Sequence, residues 1–153
     1  MFDGGYIYRG YHSDMIRMAC IGPPSSEELR LYDLVLAANT AAVQAAKPGV
    51  PCHALFEAAL REFRRGGIQE QTLRSLSGFG HGVGLDVREP PFIKKDEETV
   101  LQAGMVLALE PWLPNLAIPG AGPGILVVED MVIVTETGAE LLTLLPRALT
   151  VVA

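Results

Sequence analysis

These 153 residues contain little that points toward nucleic acid, a membrane or an oxidising compartment. Lys and Arg number 12 against 18 Asp and Glu, a net charge of −6, and the cations form no stripe. That excludes a protein built to grip a phosphate backbone. No apolar run reaches the roughly 20 residues a bilayer crossing needs, and no charged start leads into an apolar export core. Neither a membrane partner nor a secretory leader is expected. Cys20 and Cys52 are the only thiols and lack metal-type spacing. Reduced cysteines and a cytoplasmic location follow as expectations. There are no repeats and no low-complexity stretch. Apolar residues are what the chain has in quantity. At 49% they exclude disorder and supply one core, hence a single domain over residues 1–153.

Along the chain, residues 2–18 read as two strands, Phe2 to Tyr8 and Gly10 to Met18. With the turn centred on Tyr8-Arg9, Asp3 lies opposite Asp14. Like charges directly opposite destabilise a ribbon. The pair needs a shared proton or a cation, unless the hairpin is simply solvated. Pro23-Pro24-Ser25-Ser26 breaks the chain and starts a helix, with Ser25 or Ser26 as cap and Glu27 and Glu28 at its positive end. It runs to about Ala46 and stops at Lys47-Pro48-Gly49. A second helix spans Cys52 to Arg65 and ends at Gly66-Gly67, with His53 in its first turn as a surface residue. Residues 68–80 read as a polar connection and Lys94–Thr99 as a solvated loop. Gly104 to Trp112 alternates as a strand, with Val106, Ala108 and Glu110 on one face. Residues 113–124 read as an irregular, pocket-shaping loop. Ile125 to Thr135 reads as one buried strand carrying Glu129 and Asp130. These two point to opposite faces, so only Glu129 shares a side with Val127 and Met131. Leu141 to Leu145 reads as a closing strand.

The chemistry gathers around Gly78-Phe79-Gly80-His81-Gly82-Val83-Gly84. Glycines flanking His81 let the backbone approach whatever the imidazole touches. A histidine in a Gly-rich loop without function is the plainer alternative. Against it stand Asp3, Asp14, Glu110 and Glu129, each in an otherwise apolar strand-like run. Buried carboxylates cost several kcal/mol unless paired or bound to metal. Oxygen ligands plus one imidazole suit manganese, cobalt, iron or zinc. Four carboxylates able to bridge are enough for two divalent metal ions about 3.5–4 Å apart, a site that activates water and polarises a carbonyl.

The order of these segments resembles the methionine aminopeptidase / Xaa-Pro dipeptidase / creatinase family of metallopeptidases (M24). The matching residues are Asp3-Gly4-Gly5, Tyr8 through Asp14 to Arg17, Gly80-His81-Gly82-Val83-Gly84-Leu85, Gly104-Met105-Val106 through Glu110-Pro111, and Val128-Glu129-Asp130 with Gly138. The resemblance implies an α+β pita-bread fold: an antiparallel curved sheet backed by two helices, incomplete here. It implies that Asp3 chelates one ion, that Asp14 and Glu129 bridge both, and that His81 and Glu110 hold the second. His81 and Glu110 would be the catalytic pair, with Glu110 handling the proton of the attacking water. The expected reaction is hydrolysis of a peptide or amide bond, of the Xaa-Pro peptidase type. Two departures are visible. Many peptidase members carry a substrate-contacting histidine seven residues after the metal-binding one, where this chain has Arg88. A permanent cation there suggests substrate binding through an anionic group, as in creatinase-like hydrolysis of a small C–N compound, or else an ion pair with Glu89 or Asp86. The family's catalytic domain also has a preceding, pseudo-symmetric half. The expectation is therefore the C-terminal portion of such a domain, with an uncovered apolar sheet face. A homo-oligomer or another association through that face is expected, or a non-catalytic pita-bread module.

Overall fold

The first hairpin turns on Arg9 (φ 52) and Gly10 (φ 88). Two consecutive positive φ values define the tight turn whose twist matches flanking strands, and glycine tolerates its second position. Strand β1 (Phe2–Gly4) thus pairs with β4 (Met15–Arg17), and β2 (Ile7–Tyr8) with β3 (Tyr11–His12). This corrects the expected turn at Tyr8-Arg9. Asp3 faces Ile16 rather than Asp14, so the two acids are diagonal neighbours. The two long strands expected also divide into four short ones. The computed structural model describes residues 1–114 and 124–152. The irregular loop expected over 113–124 falls largely outside the described residues.

After β5 (Ala19–Ile21), helix α1 (Ser26–Ala45) starts with a full capping box. The Ser25 hydroxyl accepts the Glu28 N–H, and the Glu28 carboxylate accepts the Ser25 N–H at 2.6 Å. Leu31, Tyr32, Val35, Ala38 and Ala42 form its buried stripe. Helix α2 (Cys52–Arg65) buries Leu55, Phe56, Ala59 and Phe63, then ends at Gly66-Gly67. His53 lies half-buried against the Glu97 carbonyl rather than on the open surface. A short α3 (Glu70–Ser75) replaces the expected polar connection. Leu73 is its only buried residue, which leaves too little periodicity for sequence to reveal.

The main sheet comprises β6 (Gly78–Gly82), β7 (Glu89–Lys94), β8 (Val106–Leu109), β11 (Asp130–Val134) and β12 (Ala139–Leu141). Its order is β12-β11-β8-β6-β7, antiparallel throughout. Before β11 come β9 (Trp112–Pro114) and β10 (Ile125–Val127), which pair as a separate ribbon. The single strand expected over Ile125–Thr135 is therefore broken at Val128-Glu129. The closing strand is Ala139–Leu141 rather than Leu141–Leu145. β13 (Thr150–Val152) runs parallel to β5.

Alternation decides what each face of the sheet does. Leu107 and Leu109 join α1 and α2 in the main core, while Ala108 packs with Val83 and Met131 on the other face. Phe79 and His81 sit two residues apart yet face opposite sides, because β6 is irregular between Gly78 and His81. Phe79 stacks on Phe56 and Phe63, with ring centroids 4.7 and 5.7 Å away. That anchors one end of the irregularity, and His81 emerges on the face away from the helices. At Gly80 a side chain would collide with the Ala108 carbonyl, so only glycine permits this close approach.

Candidate metal centre

Each chemistry-bearing side chain leaves the sheet where the ladder is interrupted. His81 follows the β6 irregularity, Asp14 precedes β4, Glu110 follows β8, and Glu129 sits in the gap between β10 and β11. His81 Nε2 lies 3.6 Å from Glu110 Oε1, 3.8 Å from Asp14 Oδ2 and 4.0 Å from Glu129 Oε1. None of these is a hydrogen bond. Ligand atoms of Asp14, His81 and Glu129 all lie within 4.8 Å of one another. Atoms bound to one ion at about 2.0–2.2 Å are spaced on this scale.

His81 and Glu129 are each 1% exposed, and Asp14 9%. Buried polar atoms normally have partners, yet His81 Nε2 and Glu129 Oε1 have none among the described residues. The other imidazole nitrogen, Nδ1, lies 3.0 Å from the Gly82 carbonyl. Nδ1–H donating there leaves Nε2 as a lone pair directed at the acids, the tautomer a metal ligand requires. Burial, followed by the charges of Asp14, Glu110 and Asp3, pushes Glu129 up to about 9. Burial likewise raises Asp14, as does Asp3. Glu110 is also raised by burial, while the Arg88 cation pulls it down. Three carboxylates that resist ionising together, around one imidazole nitrogen, are what a divalent cation would relieve. The residues present fit such an ion.

The structure brings Asp14, His81 and Glu129 together and sets Glu110 at the rim. Asp3 is exposed and lies outside the tight group. It lines a neighbouring cavity of ≈330 Å³ with Asp14 and His12. A second cavity of ≈480 Å³ is bounded by His81, Glu110, Arg88, Phe92, Lys94 and Trp112. Arg88 pairs with neither Asp86 nor Glu89. Its Nη2 donates to Glu110 Oε1 at 2.5 Å, from a largely exposed position.

Sequence reading missed the buried layer behind the acids. Asp130 is fully buried and bridges Arg17 at 2.7 Å and Arg147 at 2.9 Å. Asn39 is buried on α1. Its signal was present: it falls on the same helical stripe as Tyr32, Val35 and Ala42, where a polar residue needs partners.

The family model for metallopeptidase family M24 matches residues 1–136. A Xaa-Pro dipeptidase of Pyrococcus furiosus is 38% identical over 149 residues, covering 97% of this chain and 40% of that protein. The crystal structure of dipeptidase PepE from Mycobacterium ulcerans superposes with a TM-score of 0.86 at 36% identity, covering 97% of this chain and 38% of that one. The chain thus spans about two fifths of the length of the relatives it matches. The N-terminal domain of the FACT complex subunit SPT16 from Cicer arietinum superposes as well, with a TM-score of 0.87 over 97% of this chain and 36% of that one. At 20% identity that likeness carries the fold alone. The architecture is the pita-bread fold, and the chain belongs to metallopeptidase family M24.

Proposed function

We propose that this chain carries the ligand set of a metal-dependent hydrolase that cleaves a peptide bond, of the Xaa-Pro dipeptidase kind. One observation carries the reading: an unpartnered, buried His81 Nε2 faces three carboxylates at 3.6–4.0 Å. A structural histidine would have a hydrogen-bond partner there. The proposed ligands are Asp3, Asp14, His81, Glu110 and Glu129. Two cavities border the cluster, one lined by Asp3 and Asp14 and the other by His81 and Glu110, which supports two ion positions. Manganese, cobalt, zinc and iron suit this donor set. When bound, such ions polarise a scissile carbonyl and lower the pKa of a water.

The protein's own groups supply the rest. Glu110 sits at the cavity rim with its pKa raised, which suits a carboxylate that takes a proton from water and passes it to a leaving amine. The Gly82 carbonyl lies 3.0 Å from His81 Nδ1, a contact that orients the ring so that Nε2 stays aimed at the acids. Phe92 and Trp112 add aromatic surface to a cavity also lined by polar and charged groups. Arg88 would release Glu110 to meet an anionic group of the substrate. That contact favours a short substrate with a nearby carboxylate. It also supports a second reading, hydrolysis of a small anionic C–N compound. Exposed Phe2, Tyr6, Ile7, Tyr8 and Tyr11 on the first hairpin support association through that surface, which mass in solution tests.

Calorimetry with manganese, cobalt and zinc tests the metal reading. Wild type is expected to bind and His81→Ala to lose binding; no uptake by wild type would sink the proposal. Comparing Xaa-Pro dipeptides with small amidines, for wild type and Arg88→His, separates the two substrate classes.

A further inference from the structure

The two proposed glutamate ligands stand at the ends of different strands, and one side chain holds the backbone of both. Asn39 is fully buried in the C-terminal half of α1, on the side of the sheet opposite His81. Its Nδ2 donates to the Leu109 carbonyl at 2.8 Å and to the Val128 carbonyl at 3.1 Å. Leu109 immediately precedes Glu110, and Val128 immediately precedes Glu129. Both glutamates lie just beyond the named strands; the Glu110 N–H still donates to the Phe79 carbonyl at 2.8 Å and the Glu129 N–H to the Ile16 carbonyl at 3.3 Å, while the Asn39 amide holds the carbonyl that precedes each. An asparagine amide has two N–H groups, and here each goes to one of the two segments.

The amide is itself held. Arg147 donates to Asn39 Oδ1, so the carbonyl end is fixed and Nδ2 points at the strands. The Arg147 guanidinium is in turn paired with Asp130 Oδ2. Asp130 Oδ1 accepts from Arg17 Nη2 and Thr143 Oγ1, and Arg17 Nη1 donates to the Glu129 carbonyl at 2.6 Å. Every member is buried or partly buried, and the chain of contacts begins and ends on residues 128–130.

We infer that Asn39 is a positioning residue that sets the spacing of Glu110 and Glu129 by holding the carbonyls before them on one amide. The inference rests on the metal reading of the site. An apolar residue at position 39 would pack on the same stripe with Val35 and Ala42. It would leave both carbonyls without this donor, and the two carboxylates would drift relative to His81. Partners that orient ligands without touching the ion change metal affinity by about 10–100-fold.

The test compares cobalt uptake and the visible absorption of the cobalt-loaded chain in wild type, Asn39→Leu, Arg147→Met and Val35→Ala. Val35→Ala empties core volume on the same helix face without touching either carbonyl. Arg147→Met frees the Asn39 amide from the partly exposed end of the network, and decides the matter if Asn39→Leu does not fold. The expected result is weaker cobalt binding by about tenfold or more in Asn39→Leu and Arg147→Met, with an altered absorption band. Val35→Ala should match wild type in both, whatever its melting temperature. Wild-type affinity and spectrum in both network variants, or an equal loss in Val35→Ala, would overturn the positioning role while leaving the metal site intact. No uptake by wild type would overturn the metal reading and this inference with it.

Discussion

Replacing Glu129 by Gln should stabilise the metal-free chain while abolishing its response to metal. Glu129 is 1% exposed, and burial among Asp14, Glu110 and Asp3 pushes it from an ordinary 4.5 up to about 9. Between those values the folded chain keeps a proton that the unfolded chain has released. Stability therefore falls as pH rises through this window. The penalty is absent below about 4.5, grows by about 1.4 kcal/mol per pH unit, and levels off above about 9. At pH 7 it amounts to about 3 kcal/mol. Glutamine carries no such proton, so the penalty disappears. For a chain of this size that is roughly 6–12 °C in Tm. The assay is a thermal melt in a chelator at pH 5, 7 and 9. Wild type should lose stability across the series, and Glu129→Gln should lose much less. Asp14 and Glu110 are raised too and add to the wild-type slope in the same direction. With manganese at a hundred times its Kd, wild type should gain about 2.7 kcal/mol, and the variant nothing. A variant less stable than wild type at pH 7 in chelator, or a wild-type curve rising from pH 5 to 9, would refute the reasoning.

Other perturbations follow from the same geometry. Asp130→Asn strips the carboxylate from the buried Arg17 guanidinium and the partly buried Arg147 one and should cost about 3–5 kcal/mol in urea unfolding. Gly80→Ala forces a methyl onto the Ala108 carbonyl. It should cost more than about 3 kcal/mol, or prevent folding, seen as loss of a cooperative melt. Phe79→Ala opens a cavity under α2 and should cost about 3–5 kcal/mol by the same measure. Arg88→Met removes the charge that holds Glu110 down, so cobalt uptake should require a higher pH than in wild type. High salt should narrow that difference, because Arg88 is largely exposed.

Helix ends were legible because local chemistry encodes them. Ser25 and Glu28 cap each other across three residues, and Gly66-Gly67 stops α2 where the periodicity ends. Strand alternation set Val106 and Ala108 on one face, and in the structure these two pack with Val83 and Met131 while Leu107 and Leu109 enter the main core on the other. Reading failed where partners are remote or the ladder breaks. The β5–β13 pairing joins residues far apart in sequence, and no local pattern announces it. Arg17 and Asp130 are 113 positions apart, so their ion pair leaves no trace in either neighbourhood. The first turn was misplaced by one residue because Gly10 serves the second turn position, not the residue after it. That slip kept Asp3 and Asp14 on one face but changed their pairing from opposite to diagonal.

The failures and the chemistry share a cause. A residue inside a regular ladder has its backbone set by neighbours and its side chain aimed squarely at one face. Several side chains from different strands can converge on one point only if some of them leave that regularity. His81 does so at the β6 irregularity, Glu110 past the end of β8, and Glu129 in the gap before β11. Period-2 reading ran one strand straight through Val128-Glu129 because the apolar pattern continues across the break. Once a segment leaves the ladder, something else must hold it. Here the Phe79 and Ile16 carbonyls accept the N–H groups of Glu110 and Glu129, and the carbonyls around them are held by the Asn39 amide and the Arg17 guanidinium, both anchored on buried Asp130, Asn39 through Arg147. The apolar core under the sheet sets stability, and the polar layer within it sets where two glutamates sit. Loss of Asp130 should therefore reduce both stability and metal affinity, whereas loss of Phe79 should reduce stability first.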